Sequence, residues 1–328
     1  MRSRLLTVAG LAMALGLITA APGAAQGPTP PKAPATVQRT PWGDPDIQGV
    51  WSFDSEAGVP FERPQALGTK AAVAESELEE FLEEREAERA ERAPTLGGIT
   101  GAGPTHWFED WGQKSNRTSL VIDPADGRVP ALTPEAQARQ RAGGQGGGGT
   151  FGNGPFNSFS DFTNWDRCIT RGKPNVMFPT IYNNNTRITQ GPGYVAITYE
   201  MIHETDIVPV DGRAHLPENL RQWLGNARGH WEGDTLVIET TNFTDRTNYR
   251  GATSTLKVIE RYTPVPGKGL RYEMTVDDPK TFTRKWTAAL NLTPSVDMFE
   301  YACHEGNYAI KNVLSGARAA EKAQGAAR

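Results

Sequence analysis

Tyr301-Ala302-Cys303-His304-Glu305 places a thiol, an imidazole and a carboxylate in consecutive positions. Three arrangements use such a set: a cysteine nucleophile with its base, a corner of a metal site, or a disulfide beside an acid–base pair. The chain contains only two cysteines, Cys168 and Cys303. An even pair in an exported protein reads first as a bridge, with free thiols or metal ligands as the alternatives. Parity favours the bridge, because "VDMFEYACH" reads as a strand with Cys303 and His304 on opposite faces. His304 and Glu305 then remain for chemistry at the strand's end, where loops carry function.

Other histidines also lie beside acids. "EMIHETD" sets His203 next to Glu204. In "RGHWEGDTLVIETTNF" a two-residue Gly-Asp turn would place His230 opposite Val237, Trp231 opposite Leu236 and Glu232 opposite Thr235. His230, Glu232 and Glu239 then share one polar face. No HExxH, CxxC or His-x-His spacing occurs, so the expectation is no cofactor; a metal would need long-range assembly involving groups such as His215. Arg171 in "CITRGKP", Tyr182 and Asn184 in "YNNN", and Arg221 and Trp223 in "LRQWLG" are the candidate substrate-binding groups. An arginine beside an indole suits a carboxylate or a sugar ring, although the asparagines also serve turns. The chain lacks a G-x-S-x-G elbow, a P-loop and a dinucleotide fingerprint, which leaves serine-hydrolase, phosphoryl-transfer and Rossmann chemistry unsupported.

These groups need elements to hold them. Arg2 and Arg4 precede an apolar run from Leu5 to Ala21, followed by the small-residue stretch "APGAAQ". This pattern predicts a signal peptide over 1–25, cleaved near Ala25, and a periplasmic or secreted protein. A Pro-rich linker follows over 26–40, then a single β-rich domain over 41–318 and a flexible tail over 319–328. Within the domain, residues 71–93 read as a charged outer helix with a thin stripe of Val73, Leu78, Phe81 and Leu82. Residues 139–155 form a Gly-rich loop, and "PENLRQWLG" a short helix. From residue 185 onward, short β-branched and aromatic runs alternate with turn signals. They predict an antiparallel meander closing into a lipocalin-like barrel, or alternatively a β-sandwich. A net charge of −4 without a basic stripe points away from nucleic acid and anionic membrane surfaces.

The blocks "DRCITRG", "YNNN", "EMIHE", "DGRAHLPENLRQWLG", "RGHWEGDTLVIETTNF", "TVDDP" and "YACHEGNY" resemble, in order, those of a large family of exported bacterial proteins of unassigned function. The resemblance spans Pro41 to Arg318 and implies that both cysteines sit in family motifs, in keeping with a bridge. The opening "IQGVW" is also similar to the G-x-W start of lipocalin-like barrels. The functional expectation is a cofactor-independent lyase, isomerase or hydrolase acting on a small hydroxylated or aromatic molecule. His304, His203 or His230 would be its acid–base group, Glu305 or Glu204 would orient it, and Arg221 would hold an anionic substituent. Two alternatives stand beside it, a small-molecule binding protein and an envelope interaction protein. The chain is expected as a monomer or homodimer.

Overall fold

The computed structural model describes residues 36–87, 115–143, 155–180, 182–245 and 249–326. The expected leader, most of the linker and the centre of the Gly-rich loop fall outside these residues. Ten strands form one antiparallel sheet: β1 (Gly49–Ser52), β2 (Val121–Asp123), β3 (Asn185–Gly191), β4 (Tyr194–Tyr199), β5 (Thr205–Pro209), β6 (Asn226–Glu232), β7 (Thr235–Thr241), β8 (Lys257–Val265), β9 (Gly269–Asp277) and β10 (Trp286–Ser295). Their order is β5-β4-β3-β1-β10-β9-β8-β7-β6, with β2 also paired to β10. Helices are peripheral: α1 over 78–87, α2 (Pro134–Gly143) and α3 (Ala309–Ala326).

The hairpins follow from their turns. In β6–β7 the observed pairs are His230↔Val237, Trp231↔Leu236 and Glu232↔Thr235, the register expected from a two-residue connection. Gly233 supplies the left-handed φ of +61° that this turn requires and that a side chain would resist. Along β8 and β9 burial alternates residue by residue, so Val258, Glu260 and Tyr262 face inward with Leu270, Tyr272, Met274 and Val276. The core is continuous across the sheet, from Ile188 and Ile197 through Leu236 and Ile238 to Trp286 and Leu290.

The closed barrel is corrected. No backbone ladder joins β5 to β6 among the described residues, so the sheet has two free edges. The edges nevertheless meet through side chains. A Cβ on Gly229 of β6 would lie 2.9 Å from Val210 Cγ1 and 3.0 Å from Val208 Cγ1, beside the end of β5. Valines occupy the space where a ladder would need backbone.

Two local expectations also fail. "PENLRQWLG" is a run of turns. The Asn242 amide donates to the carbonyls of Leu216 (3.0 Å), Pro217 (3.0 Å) and Leu220 (3.3 Å), which removes the acceptors a helix would use. "VDMFEYACH" is not a strand either; residues 296–308 are irregular. Its backbone is held by side chains: Phe299 N–H donates to Glu200 Oε1 (2.7 Å), and Asn307 Nδ2 donates to the Cys303 carbonyl (3.1 Å). Of the stripe expected over 71–93, Phe81 is buried and Leu78 and Leu82 are half-buried in α1, whereas Val73 is buried ahead of the helix, where its N–H donates to the Asn116 carbonyl (2.9 Å).

Candidate functional site

Residues 163–178 connect the irregular first half of the chain to the sheet. Asp166 closes their first turn, with Oδ2 accepting from Thr163 N (3.0 Å) and Thr163 Oγ1 (2.7 Å). Backbone bonds from Cys168 N to Trp165 O (2.9 Å) and Ile169 N to Asn164 O (2.9 Å) tighten it further. Cys168 is bonded to Cys303, with a Cα–Cα distance of 5.8 Å across a sequence separation of 135. The disulfide therefore clamps the Trp165–Arg171 segment against the segment that carries Tyr301.

Two cations leave this segment in different directions. Lys173 enters the core and is 1 % exposed. Its ammonium bonds Asp206 Oδ2 and, at 2.7 Å, Glu260 Oε2. The other oxygen of Glu260 accepts from Tyr272 (3.0 Å) and Tyr262 (3.3 Å). Burial alone would pull the lysine down, but Asp206 and then Glu260 outweigh it and hold Lys173 above its usual value. Burial raises the hydroxyl pKa of Tyr199, Tyr262 and Tyr272 well above the phenol range. A protonated lysine held between two buried carboxylates is a strut and offers neither nucleophile nor base.

Arg171 lies against Trp165, its guanidinium carbon 4.6 Å from the ring. Among the described residues that guanidinium makes no hydrogen bond and no ion pair. Burial lowers its pKa to about 10, offset in part by Tyr301 and Tyr182, so it stays charged at neutral pH. Tyr182 and Tyr301 stack with ring centroids 6.5 Å apart, and Trp165 Nε1 donates to the Tyr301 hydroxyl at 3.3 Å. Burial pushes Tyr182 up to about 12, so its phenol is a donor at all ordinary pH. Glu204 approaches from below, its Oε2 accepting the Arg171 backbone N–H at 3.3 Å. Burial raises the Glu204 carboxyl against the opposing bonds from Thr170 and Arg171 N–H. A fork of unpaired N–H donors, an indole platform and two phenols make an anion seat with an aromatic wall.

The expected catalytic groups do not converge. His304 and Glu305 are exposed in a turn. His203 is exposed, with Nδ1 3.2 Å from the Tyr301 carbonyl. His230 is exposed on β6, where it meets Glu232 at 3.1 Å, and Glu232 also binds Arg261 at 2.8 Å. No hydrogen bond joins any of these histidines to another among the described residues. Arg221 donates to the Ser254 carbonyl (2.7 Å) and Trp223 is half-buried; neither reaches Arg171 in the described contacts. Asn184 is a buried staple, donating to Asp54 Oδ1 and the Thr180 carbonyl, both at 2.8 Å. Only Arg171, Tyr182, Glu204 and the disulfide belong to the seat, with His203 at its margin.

Trp165, Tyr301 and the Lys173–Asp206–Glu260 strut were not anticipated. For the strut a signal existed: Glu260 interrupts the apolar face of β8 between Val258 and Tyr262, and Asp206 precedes Val208 in the same parity. For Trp165 and Tyr301 there was none, since they meet across 136 positions. Among the described residues, no three His, Cys, Asp or Glu side chains gather as a metal-binding group. No protein-family model matches the chain, and no curated protein or solved structure resembles it closely enough to count as a match.

Proposed function

We propose that the protein is an exported small-molecule binding protein that captures a planar carboxylate at Arg171. The observation that carries this reading is the Arg171 guanidinium, half-buried against Trp165 and without an acidic partner among the described residues. A charge held this way is costly unless something pairs with it. Glu204 could have paired with it, yet its near oxygen bonds the backbone N–H instead. The ligand's carboxylate would take the guanidinium fork, and its ring would lie along Tyr182 and Tyr301.

Benzoate serves as the probe, measured by titration calorimetry against benzamide, which has the same ring without the charge. Loss of a charge-assisted pair costs roughly 1.5–3 kcal/mol, so Arg171→Ala should weaken benzoate by roughly 10- to 150-fold. Arg171→Lys should recover little, because an ammonium cannot form the two-pronged contact. Equal binding of benzoate to the Arg171→Ala protein, or benzamide binding to the native protein that Arg171→Ala weakens as much as it weakens benzoate, overturns the reading. Glu204, raised by burial and hydrogen-bonded to the same residue, is the one acid–base group at the seat. If a bound carboxylate is converted, and conversion is lost in Glu204→Gln while binding persists, the protein is an enzyme of the lyase, isomerase or hydrolase kind.

A further inference from the structure

A cavity of about 650 Å³ lies among Phe61, Phe178, Tyr249 and Phe282, and it shares no lining residue with the Arg171 seat. Its volume is in the range that holds drug-sized molecules. Phe61 and Phe178 meet edge to face with centroids 4.9 Å apart, and Phe178 stacks with Tyr249 at 6.5 Å. The wall is thus made of rings set at different angles, a shape that receives another flat ring.

Its polar groups are specific. Glu62 and Arg250 both line the cavity, and they bond each other at 3.4 Å. Arg128 approaches the same carboxylate at 3.6 Å, and the Arg250 guanidinium rests 4.7 Å from the Phe61 ring. The charges therefore satisfy one another. A ligand carboxylate would meet Glu62, and a ligand ammonium would meet two arginines. Asn175, by contrast, lines the cavity with a carboxamide that makes no hydrogen bond among the described residues. Behind the wall, Trp286 Nε1 is buried without a partner among the described residues. Trp286 stands 5.9 Å from Phe61 and 6.1 Å from Tyr249 and Phe282.

We infer that this cavity is a second small-molecule site, taking an uncharged planar aromatic molecule whose hydroxyl or amide edge bonds Asn175. The Arg171 seat selects by charge; this one selects by shape and one amide.

The probe is 2-naphthol at pH 7, followed by titration calorimetry with the full-length protein. The native chain binds it saturably at sub-millimolar concentration. Ala131→Trp puts an indole into the cavity from an exposed lining position; affinity falls at least tenfold, with an unchanged thermal melt as the check on folding. Asn175→Leu keeps the shape, removes the amide, and lowers affinity roughly three- to tenfold, within the value of one neutral hydrogen bond. Arg171→Ala changes it less than twofold, which separates the two sites. Absence of saturable binding, or equal binding by Ala131→Trp, overturns the inference and leaves the reading of Arg171 untouched.

Discussion

Replacing Lys173 with methionine tests whether the strut beneath the candidate seat is real. Methionine has nearly the same length and fits the same tunnel, so the change removes charge with little change in packing. It leaves Asp206 and Glu260, 8 % and 1 % exposed, without their common cation. Breaking a buried pair from one side costs about 3–5 kcal/mol. Glu260 keeps two phenol donors and Asp206 keeps a little contact with water, which places the expected loss near the lower figure, about 3 kcal/mol. For a domain of this size that is a fall of roughly 6–12 °C in Tm. Urea denaturation with the disulfide intact gives the free energy directly. The companion variant Lys173→Met/Asp206→Asn/Glu260→Gln neutralises the whole group and should recover at least half of the loss. Benzoate affinity should fall in the single variant as well, because Arg171 is two residues away on the same turn. A single variant within about 0.5 kcal/mol of the native protein, or a triple variant no better than the single, would refute the strut.

Three further outcomes follow from the same geometry. Reduction of Cys168–Cys303, or its replacement by two serines, should lower stability by up to ~5 kcal/mol on loop-entropy grounds and weaken benzoate at least tenfold, read by melts and titrations with and without reductant. Burial raises the Glu204 carboxyl, so its contribution to stability is complete below the unfolded value of roughly 4.3 and is lost as pH rises through the folded one. Glu204→Gln should therefore flatten the decline in stability on going from acidic to neutral pH, and an unchanged pH profile would count against the burial of this group. Gly229→Leu should destabilise by about 1–3 kcal/mol, because its side chain must displace Val208 and Val210 where the two sheet edges meet; a neutral effect would mean the edges part freely.

What was legible in the sequence was local. The β6–β7 register could be read because a two-residue turn fixes every pair that follows it. The stripe of α1 could be read because it is a period within a dozen residues. Barrel closure was not legible: it depends on how β5 meets β6, and nothing at Val208, Val210 or Gly229 says whether they carry a ladder or a side-chain seam. The G-x-W tripeptide has a comparable history. Trp51 does lie in a strand, but β1 is set between β3 and β10, in the middle of the sheet. The irregular "VDMFEYACH" reads as a strand in sequence, but its β-like composition is overruled by Glu200 and Asn307, which take its backbone groups from outside the segment. The arginine–indole pairing was anticipated as chemistry and misassigned as to residues. Arg221 and Trp223 are neighbours in sequence, whereas the pair that forms is Arg171 with Trp165.

The contrast between residues 171 and 173 is the strongest argument that the seat has a purpose. Both side chains are cations on one short segment, Lys173 buried and Arg171 half-buried. Lys173 has two carboxylates and, through Glu260, two phenols arranged around it. Arg171 has an indole and two phenols, and no acid among the described residues. Scarcity of acids does not explain the difference, since Glu204 lies within hydrogen-bond reach of the Arg171 backbone. A fold that satisfies one cation so fully and leaves its neighbour without an acid among the described residues departs from its own rule there, and such departures concentrate at functional sites. The disulfide belongs to the same logic. Cys168 and Cys303 do no chemistry, but they fix Trp165 and Arg171 against Tyr301, so that the guanidinium is presented at a constant place. Of the three consecutive groups in Cys303-His304-Glu305, it is the thiol, through its bridge, that most directly serves the site.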